Sequence, residues 1–260
     1  MILDQIVAKK AIRLEQRKRE KPLSQLKSEA LKFGRTPLDF TGALKEEGLS
    51  IIAEVKKASP SKGVIRRDFD PLAIAREYLS AGVQAMSVLT EEDFFQGSDQ
   101  YLREIREIAD IPLLRKDFII DEYQIYEAYL LGADAVLLIA ALLDPPTMLH
   151  FYELATSLGL HCLTEVHNQE ELDQVLRLGM PIVGINNRNL HDFSEDIHTT
   201  ERLVQQIPEG RVVVSESAIR TPEDIRLVRE FGADAALIGE AFMRNPDVKQ
   251  AVAELRDADE

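Results

Sequence analysis

Eight short apolar runs, at residues 50–56, 84–90, 112–116, 135–139, 161–166, 182–187, 211–216 and 235–239, alternate with helix-length stretches through the chain. Most are continuously apolar rather than alternating, the pattern of parallel strands covered on both faces. Parallel neighbours need a crossover of about a dozen residues or more, which a helix supplies. An open doubly wound sheet is the alternative, but no G-x-G-x-x-G follows the first run. Eight strand–helix units in 260 residues predict an α/β fold, a (β/α)8 TIM barrel. Residues 1–47 read as an N-terminal helical extension and residues 48–260 as the barrel, together one domain.

The stretches between the runs carry helix punctuation. Asp70-Pro71 opens one and Gly82 follows it; Asp144-Pro145 and Gly159 bracket another; Thr221-Pro222 and Gly232 bracket a third. Asn168 with Glu171 reads as a capping box before Leu172, Val175 and Leu176, closed by Gly179. An N-cap oxygen accepts orphan N–H groups, Pro has none to lose at N1, and Gly tolerates the left-handed turn past the end. The segment Leu131-Gly132-Ala133-Asp134-Ala135 is echoed by Phe231-Gly232-Ala233-Asp234-Ala235, each time just before an apolar run.

Polar groups close six of the runs, five of them most clearly. Glu54 and Lys56 end the first, Lys116 the third, Glu165 the fifth, Asn186 the sixth and Glu216 the seventh. In such barrels the carboxyl ends of the strands build the active site. Glu54 and Lys56 are two apart and share one strand face. Charges at buried strand ends are costly unless paired or functional, so their recurrence at one end predicts a shared acid/base cup. A plug of buried ion pairs is the competing account. A lysine near other charges serves either as a proton donor or as a Schiff-base amine, and the residues alone leave both open.

An anion site is expected beside the cup. Barrel loops after the seventh and eighth strands often bind phosphate. Here they read Ser215-Glu216-Ser217-Ala218 and Ile238-Gly239-Glu240-Ala241, small enough for backbone N–H groups to approach an anion, although ordinary tight turns look the same. Ser59-Pro60-Ser61-Lys62-Gly63 after the first run is small, polar and basic, which suits an anionic substrate. Phe94, Phe95 and Phe118 lie just past strand ends, where they wall a pocket or pack the core.

Composition sets the exclusions. The net charge of −14, from 45 acidic against 31 basic residues, argues against nucleic-acid binding. Lys9, Lys10, Arg13, Arg17, Lys18 and Arg19 form one basic cluster. Asp4, Glu15 and Glu20 interrupt it, which speaks against a transit peptide and for a solvated helix packed on the domain. The single Cys162 excludes an internal disulfide and reads as a core residue. No apolar stretch reaches the about 18 residues of a membrane span, and a cytoplasmic location is expected. The five histidines, His150, His161, His167, His191 and His198, lack metal-ligand spacing, and no Ser/His/Asp set is evident.

The segments AEVKKASPSKGVI, LTEEDFFQGS, LLRKDFIID, LTEVH, GINNRNL, VSESAI and LIGEAFM, in this order, resemble the indole-3-glycerol phosphate synthase family of tryptophan biosynthesis. The resemblance runs through the whole chain, N-terminal helices included. It implies ring closure of 1-(2-carboxyphenylamino)-1-deoxyribulose 5-phosphate with loss of CO₂ and water. It implies no cofactor and no metal; the partner is an anionic small molecule bearing phosphate and carboxylate, with no nucleic acid or membrane, and a monomer is compatible. By the matching motifs Lys116 is the general acid and Glu165 the general base or a partner in dehydration, with Glu54 and Lys56 beside them. Asn186 orients substrate oxygens, and Glu216 completes the cup. Ser217, Ala218, Gly239 and Glu240 line the phosphate loops, Arg188 and Ser59 hold the carboxylate, and Phe95 and Phe118 pack on the ring. Many family members carry Gly where this chain has Ala218.

Overall fold

The computed structural model describes residues 2–190 and 192–256, so the expectation for His191 lies outside it. Eight parallel strands close on themselves in sequence order. They are β1 (Ser50–Val55), β2 (Ala85–Leu89), β3 (Leu113–Lys116), β4 (Ala135–Ile139), β5 (His161–Val166), β6 (Ile182–Asn186), β7 (Val212–Glu216) and β8 (Ala235–Ile238). Closure is set by β1, which pairs with β2 through Ile52↔Ala85 and with β8 through Ile52↔Leu237.

Two apolar layers follow from the two-residue period of the strands. Ile52, Leu114, Leu163, Val214 and Leu237 point inward and fill the barrel. Their neighbours Ile51, Leu113, Cys162, Val213 and Ala236 point outward and pack under the helices. This alternation decides the site: Glu54, Lys116, Glu165 and Glu216 each stand two residues beyond an inward apolar residue, so they too face inward.

The helices begin and end largely where the punctuation placed them. Asp70 accepts from Ala73 N, Asp144 from Thr147 N and Thr221 from Asp224 N, while Gly82 and Gly232 take the left-handed conformation. The expected capping box at Asn168 is only half formed. Asn168 accepts from Glu171 N, but the Glu171 carboxylate reaches past the cap to His167 N at 2.8 Å. The repeated Gly-Ala-Asp has a physical cause: Asp134 and Asp234 each precede a strand and accept, through Oδ2, a backbone N–H near the start of the neighbouring strand, Leu113 N at 2.8 Å and Val213 N at 2.7 Å.

Three helices precede β1: α1 (Ile2–Glu20), α2 (Leu23–Phe33) and α3 (Phe40–Ala43). They run from one end of the barrel to the other. Fully buried Phe40 and Leu44 join the interior cluster and close the amino end, while Ile2, Leu3 and Ile6 of α1 line the cavity at the carboxyl end. The helix α1 packs on the domain as expected, but three of its basic residues are paired with rim carboxylates rather than solvated. Lys10 meets Asp117 at 2.7 Å, Arg17 meets Asp99 at 2.8 Å, and Lys18 meets Asp121 at 2.6 Å. The acidic loops of the rim thus complement the one basic segment of an acidic chain. Among the described residues no helix is long and apolar enough to cross a membrane.

Candidate active site

The inward strand ends converge on one cavity. Glu54, Lys56, Lys116, Glu165, Asn186 and Glu216 all line it. Lys116 Nζ lies 2.9 Å from Glu165 Oε2 and 2.7 Å from Glu216 Oε2, and Lys56 is paired with Glu54. Burial disfavours the Lys116 ammonium, but the carboxylates of Glu165, Glu216 and Glu54 outweigh it and hold its pKa above the ordinary lysine value. Burial also opposes the Glu165 carboxylate, yet Lys116 and His167 outweigh it and keep Glu165 ionised below the usual range. At Glu216 burial wins over the pull of Lys116 and, with the charges of Glu165 and Glu54, pushes the carboxyl up to about 7. Glu216 Oε1 has no hydrogen-bond partner. One ammonium thus sits between two carboxylates of opposite tendency, the arrangement that divides acid from base.

Glycine makes room for these side chains. A β-carbon at Gly239 would lie 3.0 Å from Glu54 Cβ, and one at Gly184 would lie 3.1 Å from Leu163 Cδ1 and still closer to the Glu216 carboxylate. Ser217 and Ala218 after β7 hold left-handed φ values of 65° and 61°. Buried Asn187 anchors that loop by donating from Nδ2 to Ser215 Oγ at 3.0 Å and Ser217 O at 3.2 Å. Ser217, Ala218, Gly239 and Glu240 line the same cavity, and the short helix Glu240–Arg244 starts there. The rings of Phe95 and Phe118 form one wall, 5.9 Å apart between centroids.

Residues 3–255 match the sequence family described as indole-3-glycerol phosphate synthase. The chain is 50% identical over 258 residues to the indole-3-glycerol phosphate synthase of Acetivibrio thermocellus, covering 98% of this chain and 99% of that one. It is 51% identical over 247 residues to that of Clostridium acetobutylicum, covering 95% and 94%. The chain belongs to the indole-3-glycerol phosphate synthase family. Its activity is therefore that of a carboxy-lyase in tryptophan biosynthesis, acting on a phosphorylated small molecule. More distant solved structures share the barrel alone. A 3-hexulose-6-phosphate synthase, 16% identical, aligns with a TM-score of 0.63 over 81% of this chain and 99% of its own. A KGPDC from Streptococcus mutans, 12% identical, aligns at 0.62 over 82% and 97%.

Two expected residues reach the cavity less directly than the rest. Ser59 is buried in a small hairpin of residues 58–59 and 63–64, and Pro60 and Ser61 line the cavity in its place. Arg188 reaches the cavity, but Nε is bound to Glu195 Oε1 at 3.0 Å, and Glu195 is also paired with Arg220. Phe94 is not among the lining residues. His167 was not recognised from the sequence as belonging here: Nε2 lies 3.1 Å from Glu165 Oε1. The available signal was its place two residues after Glu165, on the same strand face.

Proposed function

We propose that this cavity closes the indole ring of 1-(2-carboxyphenylamino)-1-deoxyribulose 5-phosphate, with loss of CO₂ and water, by general acid/base catalysis. The observation that carries the reading is Lys116 between Glu165 and Glu216, walled by two aromatic rings and flanked by the small-residue loops after β7 and β8. The chemistry needs protons on the ketone oxygen, which ends as water, and removal of one proton from carbon. The carboxylate leaves as neutral CO₂, so each turnover takes up one proton overall.

Lys116 supplies the proton to the ketone oxygen as the aromatic carbon attacks. In the resting cup it is a weak acid, since three carboxylates hold its charge. Substrate oxygen replaces one of them at Nζ, and the ammonium becomes a better donor. Ionised Glu165 takes the proton from carbon during dehydration. Glu54 holds Lys56, which assists at the oxygen, and Asn186 orients the substrate's hydroxyls. The backbone of Ser217, Ala218, Gly239 and Glu240 receives the phosphate. Arg188 leaves Glu195 to bind the carboxylate with Ser59, whose buried hydroxyl has no hydrogen-bond partner among the described residues, and Phe95 with Phe118 packs on the benzoid ring. A Schiff-base aldolase would need a neutral lysine amine, which this cup opposes at Lys116.

The chain has no tryptophan, so indole emission on adding substrate reports product directly. Emission and CO₂ release are expected together. Absence of both at saturating substrate would overturn the reading, and a borohydride-trapped adduct on Lys116 would replace it with the aldolase.

A further inference from the structure

We propose that His167 is a positioning residue, an imidazolium clamped by Glu171 that fixes the Glu165 carboxylate and keeps it ionised. The inference rests on the reading of Glu165 as the base. His167 follows Glu165 by two residues and turns the same way at the end of β5. Its side chain is 8% exposed, and its two ring nitrogens face two carboxylates: Nδ1 is hydrogen-bonded to Glu171 Oε2 at 2.9 Å, and Nε2 lies 3.1 Å from Glu165 Oε1, within ion-pair reach but off the line of a hydrogen bond. A neutral imidazole would turn a lone pair toward one of the two carboxylates, whereas an imidazolium turns an N–H toward each. The doubly protonated ring is the form this geometry selects.

The half-formed capping box explains how the clamp is built. Glu171 belongs to the helix Gln169–Arg177, and its Oε2 accepts from both the backbone N–H and the ring of His167. Asn168 Nδ2 donates to Glu171 Oε1 at 2.7 Å, fixing the carboxylate that fixes the ring. The result is a row of alternating charge from Glu171 through His167, Glu165 and Lys116 to Glu216. Within it Glu165 meets a cation at each oxygen: Oε1 has the imidazolium within ion-pair reach, and Oε2 accepts from the lysine that faces the cavity. Burial opposes the His167 charge, but Glu165 and Glu171 raise its pKa to about 10, so it stays charged through the neutral range.

The other charged groups near the ring are Arg188, Asp196 and Arg202, which line a second cavity with His167 behind the β5 and β6 strand ends. None of them forms an ion pair with His167; the contacts that set its charge are Glu165 and Glu171.

The pH dependence of kcat in full-length His167→Ala tests the clamp. Losing the imidazolium lets Glu165 protonate more easily, so the acid limb of the profile moves to higher pH. At neutral pH kcat falls about tenfold, less than the about 10²–10⁴-fold expected for removing the base itself, with little change in KM. Glu171→Gln, which weakens the clamp without emptying the site, shifts the limb the same way by a smaller amount and serves if the alanine variant does not fold. An acid limb unmoved in both variants overturns the proposal, whatever their thermal stability. Glu165→Gln separates this from the reading beneath it. If Glu165→Gln is fully active, the base assignment fails; if it is strongly impaired and adding His167→Ala lowers the residual rate by a further factor of ten, His167 acts elsewhere. No further loss in the double variant is the expected result, since the histidine works through Glu165.

Discussion

Arg115, Lys116 and Asp117 are consecutive, yet they serve two ionic clusters that differ in kind. Arg115 and Asp117 turn outward under α1 and the helices. Arg115 donates to Thr90 Oγ1, Gln124 O and Asp99 Oδ1 at 2.9–3.1 Å, and Asp117 accepts from Lys10, Thr90 and Phe118 N at 2.7–2.8 Å. Every strong valence there is filled. Lys116 turns inward to a cup where carboxylates outnumber the lysines and Glu216 Oε1 is unpartnered. Filled networks hold a fold together, whereas an unfilled one leaves room for substrate groups to replace protein groups. Adjacent residues on one strand can thus divide stability from chemistry.

The sharpest break of that contrast is a crossed pair of variants. Lys116→Met is expected to lower turnover by about 10²–10⁴-fold or more while the fold is kept, because the cup opens to water and the carboxylates left behind can hydrate. Arg115→Met is expected to cost about 3–5 kcal/mol of stability by leaving Asp117 and Asp99 short of a partner in the interior. Product fluorescence and urea unfolding read the two effects. If Lys116→Met unfolds as early as Arg115→Met, the division between the clusters is wrong.

Glu216 sharpens the same comparison through pH. Its folded carboxyl is pushed up to about 7 from an ordinary 4.5, so between those values the folded state binds more protons than the unfolded one. Stability must then fall as pH rises through that window. Glu216→Gln cannot ionise, so it is expected to melt higher than the parent at pH 8 and alike near pH 4. An equal difference at both pH values would show that Glu216 carries no such strain. Asp117 has the opposite sign: burial works against its carboxylate, but Lys10 and Arg115 outweigh it and lower its pKa. Its stabilisation is present above the ordinary aspartate pKa and is lost as pH falls through the depressed folded value.

The two clusters were not equally legible in the sequence. A strand's period tells which residues share a face, so the inward row of Glu54, Lys116, Glu165 and Glu216 could be read from spacing and the barrel rule together. Caps at Asp70, Asp144 and Thr221 were legible because their partners lie within one helical turn. The pairing of Lys10 with Asp117 was not, since nothing local to α1 says which acids it will meet. The same blindness hid His167: its distance to Glu165 depends on Glu171 choosing the histidine over the cap N–H. Whether Ser59 or Ser61 faces the cavity was not legible either, because the turn of a two-residue hairpin decides it.

The smallest expected effect lies at Ala218, between the two clusters in character. Its φ of 61° is a conformation in which a β-carbon crowds the following carbonyl oxygen, at about 1–2 kcal/mol per residue. Ser217 beside it, at 65°, bears the same strain, so the loop carries two such residues in succession. Asn187 holds this turn from behind, which keeps the strained form in place. Strain retained beside a cavity is what a site does when geometry matters more than stability. Ala218→Gly removes the β-carbon but loosens the unfolded chain by about 0.4–1 kcal/mol, so the net gain is about 1 kcal/mol. That corresponds to a rise of about 2–4 °C in Tm for a chain of this size. A drop in Tm would mean that the alanine methyl contributes packing worth more than the strain it causes, and the loop would then belong with the filled cluster rather than the reactive one.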